Sequence, residues 1–298
     1  MMRWYTITPI HNLSFPVESP ISFGAGLVLA RLPDWIAEDA MVERLSVTDQ
    51  QSVREVQHAF VSEYEAASLD DPDPSSKGSE PKSIQETKYE LSVLGNLALW
   101  LSRPSAACFS VVLHAPQFGG TPVVQQIKRH SPLLCHPNDV GNTLSAEDVA
   151  LAQRLHSSLV QIPRQNAVWT AIRSAWFALH MNAEDVRCSL WWIALEALFG
   201  PEDAREITYR LSQRIGFFLG QDAKSARELF SQAKAGYAFR SKVVHGRWKE
   251  DSDGLTLMAN AEMLVRRSLN RLLLDPELAK LFQEKNRETY LDELAFRA

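Results

Sequence analysis

Cysteine is scarce in this chain: three in 298 residues, at Cys108, Cys135 and Cys188. An odd, scattered set does not build a disulfide framework and suits a reducing compartment, so a cytoplasmic protein is expected. Long apolar runs are also missing. The longest, LSVLGNLALWL at 91–101, falls short of the roughly 20 residues that span a bilayer, and no membrane association is expected. The opening MMRWYTITPI has no basic segment followed by an apolar one, so no secretory leader is expected. SFGAGL lacks the lysine of a phosphate-binding loop and the glycine spacing of a dinucleotide fold. H-E-x-x-H and G-x-S-x-G do not occur. His130, Cys135 and His136 lie close together in HSPLLCHP, but no second ligand pair stands at zinc-finger spacing. No metal and no cofactor are expected.

What is present suits a globular protein of two domains, with 45% hydrophobic and 22% charged residues. The net charge of −5 argues against a general nucleic-acid binder, yet it is unevenly spread. Residues 1–143 hold 10 Lys and Arg against 16 Asp and Glu, whereas residues 144–298 hold 21 against 20. A nucleic-acid surface is therefore expected in the second part rather than the first.

Residues 1–143 read as a strand-rich α+β domain. WYTITPI, SFGAGLVLARL, FSVVLHA and PVVQQI are short apolar or alternating runs bounded by Pro, Gly and Asn. A helix is expected over 49–66, DQQSVREVQHAFVSEYEA. A mobile loop is expected near 67–84, where Ser, Pro and Asp leave almost nothing to bury. From Ser145, an N-cap with Asp148 three residues on, the texture turns helical. Further helices are expected at about 165–181, 184–199, 204–219, 223–245, 254–274 and 287–296, making 144–298 an all-α domain. VRCSLWWIALEALFG is apolar on every face and should be the buried central helix, stopped by Gly200 and Pro201.

On a wheel of about 100° per residue, Ala226, Leu229, Phe230, Ala233, Tyr237 and Val244 form one stripe of the 223–245 helix. Arg240 falls inside it. A guanidinium cannot shed its charge, so it needs an acceptor or a cleft. Glu196, in the apolar ALEALF segment, needs a partner equally, and Arg205, Arg210 and Arg214 compete for it. The simpler outcomes are an ordinary structural ion pair or an arginine that snorkels to solvent. His245 lies about 140° from Arg240 on an ideal helix. Gly246 can end the helix in the left-handed conformation and redirect the last side chain, so that the two share one wet, anion-sized crevice. A His before such a Gly is otherwise an ordinary cap. Arg267 and Arg271, at i and i+4 in RRSLNRLLL, either line a phosphate path or form a solvated face.

Arg240 to His245 in YAFRSKVVHG, preceded by SLWWIALEALFGPEDAREITYRLSQRIGFFLG, resembles the Arg-x4–6-His motif and helix order of the HEPN superfamily, Apea-like group, over roughly 150–275. The resemblance implies an all-α HEPN-like helical bundle and a homodimer through that helical domain. It implies RNA as partner and a metal-independent endoribonuclease of the kind used in toxin–antitoxin and antiviral defence systems. It also admits an inactive dimerisation, RNA-binding or ligand-sensing module. Carried onto this chain, Arg240 and His245 are the catalytic candidates, with Glu196 and Ser241 in support. Lys242, Arg247 and Trp248 are candidates for phosphate contacts and a stacking surface. Ser241 stands where the family often has Asn, Asp or His. His245 is followed by Gly246 and Arg247 rather than by the x-Tyr that a partner nucleotidyltransferase modifies in some members. The first domain carries no such resemblance; a sensing or regulatory role, with a partner of its own, is expected of it.

Overall fold

The computed structural model describes residues 1–298 except 16–19, 38–41, 75–81, 106, 130–142, 204, 248–251, 284–285 and 297–298. An N-terminal antiparallel sheet unit, Met1–Gln161, is followed by a helical unit, Ile162–Ala298.

In the first unit, β1 (Met2–Ile10), β2 (Ile21–Gly24), β3 (Leu27–Arg31), β4 (His58–Ala66), β5 (Val111–Gln117) and β6 (Gln126–Arg129) form one sheet. Its order is β2-β3-β4-β1-β5-β6 and every pairing is antiparallel. Helices α1 (Asp34–Ala37), α2 (Val47–Glu55), α3 (Ile84–Ser102) and α4 (Ala146–Gln161) complete the unit. Strand alternation decides which side each residue serves. Ile7, Val111, Leu113 and Ala115 form one core with Ile36 of α1 and Val53 of α2. Thr6 and Thr8 point to the other face, where Thr8 Oγ1 donates to Ser92 Oγ of α3 at 2.8 Å. There Thr6 Oγ1 also meets His114 Nδ1 at 2.9 Å.

Three expectations for this unit change. The helix read over 49–66 stops at Glu55, and His58–Ala66 is strand β4. Its backbone is paired on both sides, to β3 and to β1, and that pairing overrides the helical look of the segment. The stretch near 67–84 is anchored where it is described: Asp73 N donates to Lys82 O and Ile84 N to Asp71 O, both at 2.9 Å. Leu69 and Ile84 join Trp4 and Ala66 in a small core, and Ser83 with Glu86 forms a capping box that starts α3. Finally, the boundary expected at 143/144 falls after Gln161. Helix α4 begins as read, with Asp148 N donating to Ser145 Oγ at 3.1 Å, but it packs on α3 and on β2. Its buried His156 meets Phe23 O through Nδ1 at 2.7 Å.

The helical unit contains α5 (Ala167–Leu179), α6 (Glu184–Phe199), α7 (Ile207–Leu219), α8 (Ala223–Val244), α9 (Ser252–Leu274), α10 (Pro276–Gln283) and α11 (Arg287–Glu293). Trp191, Trp192, Leu195, Leu198 and Phe199 of α6 are buried, as befits a central helix. Val186 and Ile193 remain exposed, so α6 is not enclosed on every side. Arg214 of α7 is 3% exposed and donates to Glu288 Oε1 at 2.5 Å, Asp292 Oδ1 at 2.6 Å and Phe199 O at 3.1 Å, joining α7 to α11. Arg271 and Arg267 of α9 donate to Phe218 O and Leu219 O. They satisfy the carbonyls left open at the negative end of α7, which replaces the phosphate path considered for them. Among the described residues, no helix is long and apolar enough to cross a membrane.

Candidate functional site

The site begins where α8 crosses Trp192 of α6. A Cβ at Gly236 would stand 2.7 Å from Trp192 Cζ2, so only glycine lets the backbone come this close. One residue on, Tyr237 packs its ring edge-on against Trp192, centroids 5.3 Å apart. Its hydroxyl donates to Glu196 Oε1 at 2.8 Å. Burial first, and then the Glu196 carboxylate, push the Tyr237 phenol up to about 12. Arg240 lies one helical turn further along α8. Its Nη2 is 3.4 Å from the same Glu196 oxygen and its guanidinium lies 5.6 Å from the Tyr237 ring centre. The expected Arg240–Glu196 contact is therefore present. The three competing arginines go elsewhere: Arg205 to Asp203, and Arg210 and Arg214 to Glu288 and Asp292.

Arg240 stands at the rim of the buried face rather than in its middle, with 26% of its side chain exposed. Past Tyr237, the buried positions of α8 become Phe239 and Val243, while Val244, placed on the inward stripe from the sequence, is 52% exposed. The Arg240 Nε is buried and has no hydrogen-bond partner. Burial pushes the Cys188 thiol of α6 up to about 12, opposed by the positive charge of Arg240. Cys188 and Cys108 are both buried and neither is in a disulfide.

Past Arg240 the helix ends as its sequence suggests. Gly246 has φ +65°, and two reverse bonds close the turn: Arg247 N to Lys242 O at 2.8 Å and Gly246 N to Val243 O at 2.9 Å. The reorientation follows His245 instead of including it. His245 keeps φ −93° and ψ 10°, close to helical, and its side chain is exposed. Within one chain, then, the structure joins Arg240 to Glu196 and Tyr237 but does not fold His245 back onto them. Ser241, Lys242 and Arg247 are exposed as well. Trp248, like the His130, Cys135 and His136 group, lies outside the described residues. Among the described residues no group of three or more His, Cys, Asp or Glu side chains could hold a metal ion. Sequence reasoning missed Tyr237 as the nearer partner of Glu196. Its signal was the i, i+3 spacing to Arg240, which sets both on one helix face.

Comparison with protein-family models, with curated proteins and with solved structures returned no match to this chain.

Proposed function

We propose that the helical unit is a metal-independent endoribonuclease of the HEPN type, acting as a homodimer on RNA. RNA carries its own nucleophile, the 2′-OH, so the protein needs only to move a proton and hold a phosphate. His245 serves as acid or base at the reacting oxygens. Arg240 holds the phosphate and stabilises the charge that develops on it. The products are a 2′,3′-cyclic phosphate and a 5′-OH. Two-fold symmetry would supply a second Arg240 and a second His245, so acid and base can come from different subunits. The observation that carries this reading is the rim position of Arg240, charged, part-exposed and held by one carboxylate oxygen, with an exposed His245 five residues on at the glycine-closed end of the same helix. The sheet unit would sense a trigger or restrain the nuclease, and defence or toxin systems use such effectors.

A second reading is favoured by the ion pair to Glu196 and by the outward direction of His245. In it the same unit is a silent dimerisation, RNA-binding or ligand-sensing module, and Arg240 is structural. Labelled RNA incubated with the protein in EDTA separates the two. The nuclease reading expects cleavage that survives chelation and falls by about 100-fold or more in both His245→Ala and Arg240→Ala. Cleavage by His245→Ala at the wild-type rate overturns that mechanism.

A further inference from the structure

The outward face of α8 carries a charge pattern that the site itself does not use. The helix holds five basic residues and one acidic residue. Turning by about 100° per residue, Arg227, Lys234 and His245 stack along one line of the surface, with Lys224 and Lys242 about 60° to one side. All five are exposed, and none makes an ion pair among the described residues. The acid, Glu228, stands outside this arc. Between the cations the positions are small, at Ser231, Ala238 and Ser241, so nothing bulky interrupts the line. From Lys224 to Lys242 the rise is about 27 Å.

A second feature accompanies the charge. Tyr209 of α7 is 48% exposed, and its ring packs edge-on against Phe230 of α8 at 5.5 Å. Lys234 Nζ lies 5.8 Å from the centre of the Phe230 ring. Cations in a row beside an accessible aromatic ring suit a polymer with regularly spaced phosphates and bases free to stack. A duplex hides its bases inside, and a lipid surface would call for an apolar stripe beneath the cations that this face lacks.

We propose that the outer face of α8 is a track for single-stranded RNA. Lys224, Arg227 and Lys234 hold the phosphate backbone, Tyr209 stacks a base, and the strand is led to His245 at the end of the helix. This rests on the nuclease reading for what happens at that end, but not for the binding itself. The chain's overall negative charge is consistent with such a track, because the cations are gathered on one face.

The test uses a labelled 2′-O-methyl oligonucleotide, which binds but cannot supply the attacking hydroxyl, and measures anisotropy between about 50 and 200 mM salt. The full-length Lys224→Ala/Arg227→Ala/Lys234→Ala variant should bind at least about ten-fold more weakly. Its slope of log affinity against log salt should be shallower by about 2, from roughly 0.7 per lost single-strand phosphate contact. Tyr209→Ala should weaken binding by about ten-fold with little change in slope. Equal binding by wild type and the triple variant overturns the track, as does no binding by wild type. Tighter binding of duplex RNA, or of vesicles containing an anionic lipid, to the same cations overturns the single-strand assignment. Binding lost in the triple variant, from a wild type that does not cut natural RNA, keeps the track and removes the nuclease.

Discussion

Arg214 and Arg240 both point inward in the helical unit, and they are held differently. Arg214 is 3% exposed and its charge is met by two carboxylates and a backbone carbonyl. Arg240 is 26% exposed and approaches a single carboxylate oxygen at 3.4 Å, one that already accepts the Tyr237 hydroxyl at 2.8 Å. The first is a compensated charge that fastens α7 to α11. The second keeps most of its donors and some access to water, which a phosphate ligand requires. An inward arginine read from sequence is thus two different objects, and the surrounding partners decide which.

The largest effect should fall on the compensated charge. Arg214→Met leaves Glu288 and Asp292 with only the longer contacts to Arg210, at 3.4 and 3.6 Å, and should cost about 3–5 kcal/mol in urea unfolding. A loss below about 1 kcal/mol would remove the distinction between the two arginines. The sheet unit should respond to acid instead. Burial, helped by Lys128, holds His114 down to about 4. Its neutral form therefore stabilises the fold fully above about pH 6.5, and that contribution is lost as pH falls toward 4. Amides of β1 and β5 should lose hydrogen-exchange protection over that window; unchanged protection would contradict it.

Smaller changes sharpen the picture around Arg240. Tyr237→Phe removes one hydrogen bond to Glu196 and should cost about 1 kcal/mol. Because the folded phenol is raised to about 12, its stabilising share is present below about pH 10 and disappears as pH rises toward 12. The variant's stability should fall less steeply across that range, and an unchanged slope would count against the assignment. Gly246→Ala should cost roughly 0.5–1 kcal/mol by thermal melting, from the left-handed backbone alone, since a Cβ there would meet nothing within 4 Å.

Much of the helical unit was legible because its signals are local. The bounds of α6 coincide with those read from the apolar run and Gly200, and Gly220 and Gly246 mark the ends of α7 and α8. Helix α10 was missed although its start is marked by Asp275, whose Oδ1 accepts from Leu278 N at 3.1 Å, and by Pro276. The sheet unit was harder, because strand identity depends on neighbours distant in sequence. HAFVSEYEA looks helical until β1 and β3 pair with it. Helix α3 was read only as an apolar run, a pattern that buried helices and strands share. At the site, the cation and its carboxylate were legible. The rotation of α8's buried face, which exposes Val244 and leaves Arg240 at the rim, depends on packing against other helices and was not.

The most direct measurement pairs stability with RNA cleavage for Arg240→Ala, at matched helicity by circular dichroism. An available, phosphate-holding Arg240 predicts a stability loss within about 1 kcal/mol and cleavage reduced by about 100-fold or more. A protein that unfolds as readily as Arg214→Met while its folded fraction cuts RNA at the wild-type rate would make Arg240 a second structural cation and contradict the account.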